Sequence, residues 1–300
     1  MSAYTELHLH TSFSFLDGAS QPEELIGRAV ELGFDALAIT DHNGLYGAME
    51  FAQLANGVGI RPITGAEVTL LDGTHLTLLA ENQTGYANLC RLLTEAHRLR
   101  NPNPPSHRLE IPFPLRTVGV SRPAQRTETP DPRLDPALLK EHGTGIILLT
   151  GCRQGQISQL LDDGQFKFAE EVLRRYVAWL GADQVFVELQ HNLVIGDTRR
   201  VAHLVQLAEH VGVRSVATGN VHYHVPERHR LNDVMVAIHH RSNLDGCHRE
   251  RRPNDQFYLR SAREVAERFA GYPDALAATQ LISERCAAFN LARDLDYRFP

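Results

Sequence analysis

Two periods of apolar residues divide the chain into strands and helices. Glu6-Leu7-His8-Leu9-His10 alternates strictly, so a strand over Tyr4–His10 turns Leu7 and Leu9 to one face and His8 and His10 to the other. Ala36–Thr40 is a short apolar run that stops at Asp41-His42. Similar runs over Arg61–Thr69, His75–Ala80, Gly145–Thr150, Gln184–Leu189 and Arg214–Thr218 bring the predicted strands to seven. Helical spacing fills most of the gaps. Ser20-Gln21-Pro22-Glu23 reads as a capping box for a helix carrying Leu25, Ile26, Ala29, Val30 and Leu32. Leu89, Leu92, Leu93 and Ala96 share a face within Tyr86–Leu99, and Phe166–Leu180 and Thr198–Val211 repeat the pattern. Strand and helix in alternation predict a parallel sheet. Seven such units with polar residues at the strand C-termini predict a closed α/β barrel, with its chemistry at that rim.

Two stretches break the pattern. Between Arg100 and Pro136 the chain is rich in proline (Pro102, Pro104, Pro105, Pro112, Pro114, Pro123, Pro130, Pro132) and reads as an irregular excursion. After about Pro226 strands cease; Ser261-Ala262-Arg263-Glu264 caps one helix, and Pro273-Asp274 opens another that runs to about Phe289. The expected division is a barrel domain over residues 1–230 and a helical extension over residues 231–300. The chain stops at Tyr297-Arg298-Phe299-Pro300 without a closing element, as if cut from something longer.

Composition narrows the function classes. Three hundred residues, 43% of them hydrophobic and 22% charged, suffice for one large α/β domain with an appendage. A net charge of −6 argues against nucleic-acid binding by bulk electrostatics, so any DNA contact is local. The four cysteines (Cys90, Cys152, Cys247, Cys286) form no C-x-x-C pair, which fits a reducing cytoplasm better than a disulfide framework. Neither a signal peptide nor an apolar run of membrane-spanning length is legible, so no membrane partner is expected. The 16 histidines are numerous, and several stand where predicted strands end: His8, His10, Asp41-His42, Glu67, Cys152 and Asn220-Val221-His222. Imidazole, carboxylate and thiolate gathered at strand ends are what a polynuclear metal site requires. The pattern points to a metal-dependent, phosphoester-hydrolysing domain. For His8 and His10 the competing reading is a solvated strand face.

His8-Leu9-His10, Thr40-Asp41-His42, Gly65-Ala66-Glu67 and Val221-His222 resemble the signature motifs of the polymerase and histidinol phosphatase (PHP) superfamily. They resemble in particular the N-terminal PHP domain of bacterial C-family DNA polymerases, the DNA polymerase III alpha subunits. Ser14-Phe15-Leu16-Asp17-Gly18-Ala19 is similar to that group, and Arg251-Arg252-Pro253-Asn254-Asp255-Gln256-Phe257-Tyr258-Leu259 and Asp296–Pro300 to its error-prone branch. The resemblance implies a distorted seven-stranded β/α barrel of the PHP type and two or three divalent ions, zinc or manganese, with magnesium or iron as alternatives. It implies a first site of His8, His10, Glu67 and Asn220. Glu67 would bridge to a second, completed by His97 and Cys152, and Asp17, His42 and His222 would hold a third. His8, His10, Glu67, His97 and Cys152 would then carry catalysis, because paired divalent ions activate a water and stabilise both oxygens of an in-line phosphoryl displacement.

One position departs from the family pattern. Active members carry Asp where this chain has Asn220, so one negative charge is missing from the first site. The sequence therefore supports three readings: a 3′→5′ exonuclease acting on DNA beside a polymerase core downstream, a metal-stabilised structural module of that polymerase, or a free-standing phosphatase on a small phosphomonoester. His97 competes with an ordinary polar helix face, Cys152 with a small apolar core residue, and His75, inside an apolar strand, reads as structural. The basic run Arg249-Glu250-Arg251-Arg252 suits either a phosphate-backbone contact or a solvated linker face.

Overall fold

Asp72-Gly73 decides the direction of half the sheet. Gly73 turns with φ +88°, Asp72 Oδ1 accepts from the Thr74 amide (2.9 Å) and hydroxyl (2.6 Å), and the Leu70 amide donates to the Thr74 carbonyl at 2.7 Å. Five residues cannot make the crossover that parallel strands need. Strands β2 (Arg61–Thr69) and β3 (His75–Ala80) are therefore an antiparallel hairpin, in register Gly65↔Leu79, Glu67↔Thr77, Thr69↔His75. The sheet is mixed rather than wholly parallel. β1 (Ala36–Ile39) runs parallel to β2, β3 antiparallel to β4 (Ile146–Leu149), and β5 (Val185–Gln190) and β6 (Arg214–Thr218) parallel to β4 and to each other. The computed structural model describes residues 4–100 and 132–295, so most of the proline-rich excursion and the motif Asp296–Pro300 lie outside the described residues.

The helices, in chain order, are α1 (Pro22–Leu32), α2 (Ala48–Gly57), α3 (Gln83–Arg100), α4 (Leu139–His142), α5 (Gln156–Asp162), α6 (Phe166–Leu180), α7 (Asp197–Val211), α8 (His229–His239), α9 (Ala262–Arg268), α10 (Pro273–Arg285) and α11 (Leu291–Asp294). The capping box expected at Ser20 sits one residue later: Gln21 is the N-cap and Glu24 its partner. Among the described residues no helix is long and apolar enough to cross a membrane.

Among the described residues the curled sheet has six strands rather than the expected seven, in the order β1-β2-β3-β4-β5-β6. Tyr4–His10 makes only isolated parallel bridges, Glu6 with Leu37 and Leu9 with Val221, so it lies between the two edge strands of the sheet. The Glu6 carboxylate explains the broken ladder. It accepts the His8 amide at 3.0 Å, taking a donor that a continuous strand would have given to its neighbour. The expected alternation is interrupted with it. Leu7 joins an inner apolar cluster with Ala36, Ala38, Ile63, Leu79, Ile147, Leu149, Phe186 and Val216, whereas Leu9 joins the outer one between sheet and helices. The inner cluster is closed by Ala278, Ile282 and Cys286 of α10, so the segment beyond residue 230 packs onto the sheet.

Candidate metal centre

The site is assembled at one end of the sheet, by Glu67 of β2, His75 at the start of β3, the first segment and the loops that follow β1 and β6. β1 stops because Asp41, buried, turns its carboxylate back onto the next loop, accepting from the Thr11 amide (2.7 Å), the Thr11 hydroxyl (2.8 Å) and Ser14 Oγ (2.6 Å). That clamp fixes the turn carrying Asp17 and brings Ser14 Oγ to 3.2 Å from His10 Nδ1. β6 stops in the same way. The Gly219 amide lies 2.9 Å from Glu6 Oε2, and a Cβ at Gly219 would stand 2.5 Å from that oxygen, so a larger residue would displace the Glu6 carboxylate. Asn220 then takes φ +49°, a left-handed conformation that Asn adopts more readily than most residues. Val221 is thereby paired with the first segment and His222 turned inward, its Nδ1 2.9 Å from the Asn220 carbonyl.

Glu67 is the centre of the arrangement. One carboxylate oxygen, Oε2, lies 3.1 Å from His42 Nδ1 and 3.5 Å from His10 Nε2; the other, Oε1, lies 3.2 Å from His75 Nδ1 and 3.6 Å from His8 Nε2. His8 Nε2 and His10 Nε2 face each other at 3.1 Å, and the His10 ring stacks on His42 with centroids 4.4 Å apart. Asp17 Oδ2 joins His42 Nε2 (2.9 Å) to His222 Nε2 (3.0 Å). Three overlapping groups result, His8-His10-Glu67, His42-Glu67-His75 and His10-His42-His222, each with ligand atoms within 4.8 Å of one another. The donor set fits divalent cations. Glu67 Oε1 and Asn220 Oδ1 are buried without a hydrogen-bond partner, and so many ring nitrogens converging on one carboxylate leave lone pairs that protein groups do not satisfy.

Charge is distributed unevenly over these groups. Burial disfavours the Glu67 carboxylate, but the imidazoles of His75, His42 and His8 outweigh it and hold its pKa well below the usual range. Asp17 is likewise held low against burial, chiefly by Arg252 and His222. Burial, with His42 and His222 beside it, pushes His10 well down, and burial with Arg252 lowers His222 to about 4. Both shifts favour the neutral ring, the form in which imidazole ligates a metal. His8 is the opposite case: burial works against its charge, yet Glu188 and Glu67 raise its pKa well above that of a free imidazole. Burial and Glu67 raise the Cys152 thiol well above its ordinary value.

The structure therefore gathers His8, His10, Asp17, His42, Glu67 and His222. Cys152 stands at the edge, its Sγ 3.8 Å from His75 Nδ1, and Asn220 lines a neighbouring cavity. His97 is not brought into the cluster: its Nε2–H donates to the Asn43 carbonyl at 2.8 Å, next to His42 in sequence. His75 takes a place that sequence reasoning withheld. The hairpin register sets it diagonally across from Glu67 on the same face, and Asp72-Gly73 between two apolar runs was the signal for that hairpin. Glu188, a carboxylate inside the apolar run of β5, was also missed; its Oε1 lies 2.6 Å from His8 Nδ1. Arg252 turns neither to solvent nor to a linker face. It pairs with Asp17 Oδ1 (2.7 Å) and Asn232 Oδ1 (2.9 Å), while Arg251 pairs with Asp233 at 2.7 Å.

Comparison with known proteins gives the family. The PHP domain model matches residues 6–192. The chain is 38% identical over 300 residues to the error-prone DNA polymerase of Symbiobacterium thermophilum, covering 99% of this chain and 26% of that protein. It is 38% identical to the error-prone DNA polymerase of Mycobacterium tuberculosis (95% and 25% covered) and 31% identical to the DNA polymerase III subunit alpha of Treponema pallidum (95% and 23%). The chain thus spans about a quarter of the length of these relatives. A solved structure from Bifidobacterium adolescentis, described there as a candidate metal-dependent phosphoesterase, superposes with a TM-score of 0.48 at 19% identity, covering 74% of this chain and 88% of that one. With the family model matching well over half of its residues, the chain belongs to the PHP domain family.

Proposed function

We propose that this chain is the metal-dependent phosphoesterase domain of a bacterial error-prone DNA polymerase, acting in the cytoplasm as a 3′→5′ exonuclease on DNA. The observation that carries the reading is the convergence of His8, His10, His42 and His75 on the Glu67 carboxylate, beside a second carboxylate, Asp17, shared by His42 and His222. His8, His10 and Glu67 would hold one cation, with the unpartnered side-chain oxygen of Asn220, Oδ1, as a neutral donor. Glu67 and His75, with Cys152 at the edge, would hold a second, and Asp17, His42 and His222 a third. His97 would serve by fixing the loop after His42 rather than as a ligand. When bound, such ions activate a water and neutralise charge on the phosphoryl group.

The chain's own groups prepare that chemistry. Ser14, clamped by Asp41, holds the His10 ring through Nδ1, and the Asn220 carbonyl holds His222 through Nδ1, so both present Nε2 to the cluster. Arg252, fixed by Asp17 and Asn232, keeps a positive charge beside the third group of ligands. The test is release of nucleotides from a 3′-labelled single strand by the purified chain supplied with Mn²⁺ or Zn²⁺. Steady 3′→5′ shortening supports the reading, and none with metal bound overturns it. Asn220 favours one rival, a metal-stabilised module without hydrolysis. That rival predicts a large fall in melting temperature on chelation together with an inert 3′ end. A free-standing phosphatase would instead turn over a simple aryl phosphate.

A further inference from the structure

β5 carries one charged residue in a wholly apolar stretch. Val185, Phe186, Val187 and Leu189 are buried, and Glu188 between them is 1% exposed. A carboxylate there is costly unless it is paired, so its partners explain its presence. Oε1 lies 2.6 Å from His8 Nδ1 and accepts from Thr218 Oγ1 (2.5 Å) and Gln190 Nε2 (2.8 Å). Oε2 has no hydrogen-bond partner, and neither has Asn220 Oδ1; Glu188 and Asn220 line the same cavity. Thr218 and Gln190 alone could satisfy a neutral glutamine at this place. A full negative charge answers instead to His8, whose opposite nitrogen faces His10 at 3.1 Å and Glu67 at 3.6 Å.

We infer that Glu188 is a positioning residue of the first cation site: it fixes a hydrogen on His8 Nδ1, so that Nε2 faces the cation, and it supplies the buried negative charge that Asn220 lacks. A carboxylate behind a ligating imidazole both orients the ring and strengthens it as a donor. The geometry assigns the two tasks of one aspartate to two residues, Asn220 offering a neutral oxygen and Glu188 the charge. The inference rests on the reading above, that the cluster holds divalent cations.

Calorimetric titration of the metal-stripped chain with Mn²⁺ and with Zn²⁺ tests it, using wild type, Glu188→Gln, Asn220→Asp and the double variant. Glu188→Gln keeps an acceptor for His8 and removes only the charge, and is expected to weaken binding at one site about 10- to 100-fold. Asn220→Asp in that background is expected to recover most of the loss. Equal affinity of Glu188→Gln and wild type overturns the inference while leaving the site intact, and failure of wild type to bind either ion overturns both. A second measurement does not depend on Glu188→Gln folding. The ¹⁵N resonances of His8, assigned by their loss in His8→Gln, should show a protonated Nδ1 in wild type; an unprotonated Nδ1 overturns the positioning role.

Discussion

At the end of the sheet where its parallel strands begin, α10 pushes Ala278, Ile282 and Cys286 into the interior against Leu7, Ile63, Phe186 and Val216. At the end where they finish, the same interior is filled by His8, His10, Glu67 and Glu188, all buried. The α10 end buries a few polar groups as well, each paired locally: Thr279 Oγ1 takes the Thr5 amide at 3.3 Å, and Arg285, nearer the surface, meets Glu81 at 2.8 Å. At the other end polar groups are the filling. An apolar plug repacks around whatever volume it is given, whereas a buried polar cluster is stable only when each member finds its partner. Stability and chemistry are thus separated along one short axis, and the two ends should respond differently to substitution.

The largest effect is expected at the plug. Ile282→Ala empties a fully buried position and should cost about 2–5 kcal/mol of unfolding free energy. Chemical denaturation measures it, and cation affinity should not change; a parallel loss of affinity would join the two ends that the structure separates. Gly219→Ala is expected next, at about 1–3 kcal/mol, since the new Cβ falls 2.5 Å from Glu6 Oε2 on the polar side of the comparison. Here stability and metal binding should fall together, because Asn220 and His222 follow directly.

Within the polar end, His75→Ala should weaken Mn²⁺ binding about tenfold or more, as loss of a group close around the ion does, while His97→Ala should leave it nearly unchanged. The reverse order in side-by-side titrations would restore His97 as the ligand. The smallest effect concerns pH. Folded His222, with a pKa lowered to about 4, is neutral at pH 5, whereas an unfolded imidazole, with a pKa of about 6.5, is charged there. The unfolded chain therefore binds more protons in this range. The stability that neutral His222 contributes is whole above about pH 6.5 and is lost as pH falls towards about 4. In metal-free protein, melting temperatures of wild type should drop faster over that window than those of His222→Gln; identical slopes would contradict the assignment.

Much of the fold is legible in the sequence. The strand cores were readable because fully buried strands leave continuous apolar runs, and six of the seven expected segments form the sheet. His8, His10, His42, Glu67 and His222 stand out because they lie in compact motifs at the ends of those runs, whereas Asp17 is singled out only by the family resemblance. Tyr4–His10 was misread because its alternation is real in the letters but is broken by a side chain, Glu6, competing for a backbone amide. His75, Glu188 and Arg252 were missed for a shared reason: each is polar in a context whose neighbours suggest a duller role. A histidine opening an apolar strand, a carboxylate within one and an arginine in a basic run acquire meaning only when a distant residue arrives opposite. The helices beyond residue 230 read as a helical extension, and nothing local signals that α10 packs Ala278, Ile282 and Cys286 against the inner cluster.

The turn at Asp72-Gly73 sets a measure for the whole centre. Because side chains in a strand alternate sides, one residue added between Leu70 and Thr74 would carry His75 to the opposite face and put Thr74 diagonal to Glu67. Two residues added would return a side chain to the correct face, one step further along. The identity of the group that meets Glu67 is therefore written in the length of a loop that touches nothing in the cluster.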